Sequence, residues 1–298
     1  MGRSVNIDRR FKDSKNPFLR KGEAVAVRSL RDVARLVRPS AFPSLPPVFV
    51  NSVPKSGTHL LTQIVEGLDS NDDWGTFLVS TPSRTMRETA VADVYKEMQK
   101  LVPGESARGH LFWHQMLAEL ISNRHIVSYF IYRDPRDVAL SEARYLTSMN
   151  RYHRMHRVYR DLSPDDALML SINGWTQSGD RGVYYPDIGT RYTRYTGWLT
   201  HKDTLAVRFE DLRGADSATW MKSIVTHYVD TSGHSDSGAK QMLVRAGQLV
   251  DPNRSHTYRQ GKSGGWRDAY KLEHLEAFHR VAGPLLFQLG YESDDGWL

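Results

Sequence analysis

The chain has 298 residues and a mass of 34.1 kDa, with 40 % hydrophobic and 25 % charged residues. That is ordinary globular composition, fitting one α/β domain or two smaller ones and arguing against wholesale disorder. The lack of cysteine excludes disulfides, zinc–thiolate sites, iron–sulfur ligation and thiol nucleophiles.

The net charge of +6 is unevenly placed. Residues 1–40 hold 11 Lys and Arg against 4 Asp and Glu, and the rest of the chain holds 29 against 30. The pI near 9.4 therefore reports a basic N-terminal arm, and nucleic-acid binding by the whole protein is not expected. No apolar run approaches the ~18 residues of a membrane span. The charged N-terminus has no apolar signal region, so the expected location is cytoplasmic.

In chain order, residues 1–21 read as a loose polar arm. Gly22 to Arg38 has helical period, with Ala26, Leu30, Val33 and Val37 on one face and Arg28, Arg31, Arg35 and Arg38 on the other. The expectation is a surface helix packed on the domain by its apolar face, with a solvated arginine face. Peripheral contact with anionic lipid is the weaker alternative, because that apolar face lacks Trp and Phe. Pro39, Pro43, Pro46 and Pro47 break the chain, dividing an arm (1–45) from a domain (46–298). Val48-Phe49-Val50 reads as a buried strand, 53–59 as a loop and Leu60–Leu68 as the helix after it. Helix is also expected around Met86–Leu101. Ile126–Tyr132 reads as a second buried strand, followed by the polar turn Arg133-Asp134-Pro135-Arg136 and a helix from Asp137. Thr204–Phe209 reads as a third strand. Repeated strand–loop–helix predicts a single α/β domain with a central parallel sheet flanked by helices, binding its ligand beyond the carboxyl ends of the strands.

Three segments there carry chemistry. In Pro54-Lys55-Ser56-Gly57-Thr58, glycine lets backbone N–H groups turn inward and the next helix offers its positive end, making an anion cradle. Lysine precedes the glycine by two positions, so the Mg–ATP loop GxxxxGK[ST] is not matched. Arg133 to Val138, with Ser141 beyond, brings a guanidinium and a hydroxyl to a second strand end, suiting another phosphate. A plain helix cap by Asp137 and a surface pair by Arg136 fit this segment too. Tyr258 to Arg267 is a glycine-rich basic loop, a flap over a nucleotide or simply a surface loop. His110 and His114 are four apart, but position 111 is Leu and the zinc pattern HExxH fails, so no metal is expected. His153 and His156 lie in an Arg- and Tyr-rich stretch that reads equally as an acceptor-side cover or a solvated helix.

Taken together and in this order, the three segments resemble the PAPS-dependent sulfotransferase family, with a P-loop-like architecture. PKSGT resembles the loop holding the 5′-phosphosulfate, RDPRDVALS the 3′-phosphate segment, and RQGKSGGWRD the closing RKGxxGDWK loop. Phe209-Glu210-Asp211-Leu212 and the ending Gly290-Tyr291-Glu292 also fit, so the likeness spans about Val48 to Tyr291. It implies transfer of a sulfonate from PAPS (3′-phosphoadenosine 5′-phosphosulfate) to a hydroxyl or amine, releasing PAP, with no metal. By the same likeness Lys55 contacts the transferring group, and Ser56, Gly57, Thr58 and His59 bind the 5′-phosphate. Arg133 and Ser141 grip the 3′-phosphate with Arg259, Gln260 and Gly261, Phe209 lines the nucleotide site, and His110 stands in the place of the catalytic base. A neutral imidazole titrating near neutral pH suits that role. Departures from the family pattern are His59 and Leu60 for Thr and Trp, Phe209 for Tyr, Gln260 for Lys and Gly265 for Asp. Segments Tyr145–Tyr159 and Tyr184–Trp198 suggest a polar or aromatic-ringed acceptor: a glycan, a glycolipid headgroup or a small natural product. A nucleotide kinase and a non-catalytic polyanion-binding module are the rival readings. The arm holds none of the three segments and is expected to be dispensable for donor binding.

Overall fold

The computed structural model describes residues 9–12, 14, 16–37, 40, 42–176, 182–233, 238–251, 263–294 and 296–298. In chain order the elements are α1 (Pro17–Val37), β1 (Val48–Ser52), α2 (Thr58–Val65), β2 (Phe77–Val79), α3 (Val91–Met98), β3 (Ser106–His110), α4 (Gln115–Asn123), β4 (Val127–Tyr132) and α5 (Pro135–Arg144). A π-helical turn at Tyr145–Met149 leads to α6 (His156–Tyr159), α7 (Pro164–Asn173), β5 (Trp175–Thr176), β6 (Tyr184–Tyr185) and α8 (Ile188–Thr193). Then come β7 (Thr204–Arg208), α9 (Phe209–Arg213), α10 (Ser217–Ser232), α11 (Ala239–Leu249), α12 (Trp266–Ala269) and α13 (Leu272–Gln288).

Strands order as β2-β3-β1-β4-β7, all parallel, and β5 pairs with β6 in a small antiparallel ribbon. The near-continuous apolar runs of β1 and β4 are explained by burial on both faces. Val48 and Val50, with Val127 and Tyr129, pack under α2, α10 and α11, while Phe49 and Phe130 face α4, α5, α7 and α13. The expected parallel sheet flanked by helices is what forms.

Two strands carry no sequence signal of the kind that marks β1. β2 is three residues long, and β3 reads Ser-Ala-Arg-Gly-His, with no β-branched residue. β3 is nevertheless an interior strand, held by its register with β1 and by the Asn51 side chain. The Asn51 amide donates to the Leu111 carbonyl (3.0 Å) and accepts from the Leu111 N–H (2.8 Å), which extends the pairing past His110. Gly109 is required by close approach: a Cβ there would come within 2.6 Å of the Leu78 carbonyl and 2.8 Å of the Phe49 ring.

β1 and β4 are neighbours whose onward connections leave in opposite directions, toward β2 and toward β7. A crevice opens where such connections diverge, beyond the carboxyl ends of the strands. Residues 53–57 after β1 and 133–134 after β4 flank it, and the Val53 N–H donates to the Ile131 carbonyl (3.3 Å).

α1 reverses the sequence expectation. Its arginine side faces the domain and its apolar side faces solvent. Arg31 is 2 % exposed and its guanidinium donates to Glu105 (2.8 Å) and Thr76 (2.8 Å), while Arg28 donates to the Gly75 carbonyl (2.7 Å). Leu30 is 65 % and Leu36 77 % exposed. The cause lies in the surface that α1 covers, which presents a buried carboxylate and a backbone carbonyl rather than an apolar groove. Arg136 likewise departs from a surface pair. It is buried between the Trp266 ring (3.8 Å) and the Trp297 ring (5.0 Å) and paired with Asp134 (2.8 Å) and Glu292 (2.6 Å).

Candidate active site

Lys55 and Gly57 both hold left-handed backbone conformations, with φ of 70° and 98°. They turn the chain sharply from β1 into α2. No side chain caps α2, so its first-turn N–H groups remain available to an anion. The Ser56 hydroxyl is fully buried and has no hydrogen-bond partner among the described residues, an orphan that an anion in the turn would satisfy. Gly57 also admits Phe209, since a Cβ at that position would come within 2.4 Å of the ring. Phe209, at the start of α9, reaches the other way to the Arg133 guanidinium, 4.6 Å from its ring centre. One aromatic ring thus spaces the two loops.

His110 ends β3 beside the Lys55 turn. Its Nδ1 lies 2.9 Å from the Ser52 hydroxyl and 3.1 Å from the Ser52 carbonyl, and the Ser52 hydroxyl is 2.7 Å from the Thr58 hydroxyl. A carbonyl only accepts, so the Nδ1 contact to it places the proton on Nδ1 and leaves the lone pair on Nε2. Burial, reinforced by the Lys55 charge and opposed by the bond to the Ser52 carbonyl, brings the imidazole down to about 4. His110 is therefore neutral at physiological pH. The exposed Phe77 ring meets it edge-on at 5.2 Å, and the Lys55 ammonium rests 3.9 Å from the centre of the Tyr145 ring.

The second loop is organised by carboxylates. Asp134 caps α5 by accepting from the Arg136 N–H (2.9 Å), so the alternative reading of Asp137 as the cap does not hold. Asp137 instead accepts from the N–H groups of Gly264 (2.8 Å) and Trp266 (3.0 Å) and from the Arg133 guanidinium (3.1 Å). It ties the end of the glycine-rich segment to the start of α5. Glu210 accepts from the Asp134 N–H (3.2 Å) and from the Tyr291 hydroxyl (2.9 Å), joining α9 and the C-terminal segment to the same loop. Tyr192 bridges the Arg133 backbone, donating to its carbonyl at 2.6 Å. Ser141 lies one turn beyond Asp137 on the same side of α5.

Lys55, Ser56, Gly57, Thr58, His110, Arg133 and Phe209 thus converge on the crevice, and half-buried His59 sits in the first turn of α2. Arg259, Gln260 and Gly261 lie outside the described residues. His114 is elsewhere engaged, capping α4 through an acceptance from the Met116 N–H (3.1 Å). Sequence reading missed Ser52 and Phe77, and it marked Tyr145 only as the start of an acceptor-side segment. Ser52 could have been suspected, since it ends an apolar strand immediately before a turn. Tyr145 and Phe77 reach the site only through tertiary packing.

No family model matches the chain, and no curated protein does. Solved structures do share its fold. The mouse sulfotransferase SULT7A1 complexed with PAP matches with a TM-score of 0.54 at 18 % identity, covering 87 % of this chain and 91 % of that one. Retinol dehydratase with androsterone and inactive cofactor PAP matches with a TM-score of 0.51 at 16 % identity, covering 86 % and 84 % of the two chains. The same dehydratase with retinol and PAP gives 0.51 at 16 % identity over 86 % and 85 %.

Proposed function

We propose that the chain transfers a sulfonate group from PAPS to a hydroxyl of a small-molecule or glycan acceptor. The observation that carries this reading is the joining of the Lys55 turn to a neutral His110 through Ser52 and Thr58, in a fold whose solved examples hold PAP. The residues fit the donor. First-turn N–H groups of α2 and the orphaned Ser56 hydroxyl suit the 5′-phosphate, and Arg133 and Ser141 suit the 3′-phosphate. Arg259, Gln260 and Gly261 are proposed to bind it as well, by their resemblance in sequence alone.

In the reaction, the acceptor oxygen attacks sulfur as the bond from sulfur to the 5′-phosphate oxygen breaks. The bond's electron pair passes to that oxygen, where Lys55 neutralises the growing charge. The acceptor proton passes to His110 Nε2, held in the right tautomer by Ser52. A sulfated acceptor and PAP leave.

Calorimetry with PAP, AMP and ATP tests the reading. A charge-assisted bond from Arg133 to the 3′-phosphate is worth roughly 1.5–3 kcal/mol. PAP should accordingly bind about one to two powers of ten tighter than AMP. Equal affinity for PAP and AMP overturns the assignment, and a preference for ATP with Mg²⁺ replaces it with nucleotide-dependent phosphoryl transfer.

A further inference from the structure

The outward side of α1 is a stripe of large apolar side chains at helical spacing. Phe18, Val25, Leu30, Val33, Leu36 and Val37 are all exposed, and helical period puts them on one side. The helix's polar side is already committed, through Arg28 and Arg31, to the domain. A contiguous apolar strip of this length in water marks a contact surface. The helix begins at Pro17, earlier than its sequence pattern suggests, and so carries an aromatic residue on this strip.

The charge around the strip says what it contacts. Lys21 on α1 is exposed. At the N-terminal end of the strip, Phe18 meets Tyr152 edge-on, with ring centres 5.5 Å apart. Arg151 adjoins that tyrosine, and Arg144, Arg151 and Arg157 are all exposed, with no acidic residue between positions 143 and 160. An apolar helical strip with exposed cations at its N-terminal end complements the acyl boundary and headgroups of an anionic bilayer. A second copy pairing its strip in parallel would set the same cationic end against itself, which is repulsive.

We propose that α1 is an interfacial helix that seats the protein on an anionic lipid surface, with its axis in the membrane plane and Lys21, Arg144, Arg151 and Arg157 on the headgroups. Tyr152, against Phe18, donates its N–H to Asn150 (3.3 Å), and the Asn150 amide donates to the hydroxyl of Tyr145, the ring beside Lys55, so the N-terminal end of the docked helix lies near the crevice. Docking does not depend on the sulfonate-transfer reading and is measured without turnover.

The full chain is floated with vesicles of phosphatidylcholine alone and with about a third phosphatidylglycerol. It should bind the anionic vesicles, bind the neutral ones weakly, and release at high ionic strength. Leu30→Ser with Leu36→Ser should weaken binding by at least roughly tenfold, and Arg151→Gln with Arg157→Gln should weaken it on anionic vesicles alone. Both double variants alter exposed side chains and should keep the wild-type PAP affinity or, if PAP does not bind at all, the wild-type melting temperature. No wild-type binding to anionic vesicles overturns the proposal. So does binding that both double variants leave unchanged. A wild-type dimer that the leucine variant converts to monomer, without vesicle binding, assigns the strip to a second copy instead.

Discussion

At the scale of single residues, the site turns on how an imidazole is kept neutral. Burial and the nearby Lys55 ammonium lower the His110 pKa to about 4. The sign follows directly: in the proposed reaction protonation removes the base, and a lowered pKa postpones protonation to more acidic solution. The rising limb of the pH–rate profile should therefore lie near pH 4 rather than at the ~6.5 of an ordinary imidazole. Above that limb, turnover should be flat with respect to this group. Lys55→Met removes one of the two depressing influences and should move the limb upward while slowing turnover. His110→Gln should cost about 10²–10⁴-fold in turnover, as general-base losses usually do, and leave PAP affinity near wild type. Sulfate transfer from PAPS to a panel of hydroxyl acceptors, followed across pH for the three proteins, reads all of this. A limb at pH 6–7 in the wild type, unmoved by Lys55→Met, would exclude the environment described for His110. The residue itself was legible in the sequence only through its place in a recognised pattern. Its protonation state was not, because Ser52 and the burial of the β3 end are products of strand pairing.

At the scale of elements, what could be read depended on how each strand is buried. β1 and β4 announce themselves as apolar runs, because helices cover both of their faces, whereas the edge strand β7 is only partly covered. β3 hides, because its interior position rests on backbone pairing and on a glycine that the Phe49 ring demands. The loops were legible in composition but not in their ties. Gly57 shows why composition sufficed there: its φ of 98° and the Phe209 ring both exclude a side chain. Gly57→Ala should cost roughly 1–3 kcal/mol in stability, through backbone strain and displacement of that ring. It should also weaken PAP in calorimetry, since the anion turn and Arg133 share Phe209. Asp137 makes the opposite case, a residue that looks like a cap and acts as a tether. Asp137→Ala strips the acceptor from the Gly264 and Trp266 N–H groups and the partner carboxylate from Arg133. Amide exchange at 264 and 266 should accelerate in that variant while the amides of β1 and β4 stay protected. Unchanged exchange at 264 and 266 would show the segment to be held by the packing of Trp266 alone.

At the scale of the whole molecule, the N-terminal arm is part of the fold's electrostatics. Truncation before residue 41, expected from sequence to spare donor binding, removes Arg31 from a carboxylate that is completely buried. Burial pushes the Glu105 carboxyl up, while Arg31 and hydrogen bonds from Thr76 (2.6 Å) and the Val102 N–H (3.0 Å) draw it back. Arg31→Met isolates this pair without deleting the helix. Removing one partner of a buried pair typically costs about 3–5 kcal/mol, because the remaining charge stays buried without compensation. The Glu105 pKa in the folded variant should then rise further above its unfolded value. A carboxyl whose folded pKa is raised contributes stability below its unfolded pKa and loses it as pH rises through the folded one. The deficit of Arg31→Met should accordingly be larger near neutral pH than at about pH 5. Glu105→Gln in the same chain removes the charge but keeps a hydrogen-bonding group, and should recover part of the loss and most of its pH dependence. Urea unfolding of wild type, Arg31→Met and the double variant at the two pH values decides the matter. An Arg31→Met protein as stable as wild type at both would mean that the arm is held by its other contacts, such as Arg28 on the Gly75 carbonyl and Arg9 on Asp73.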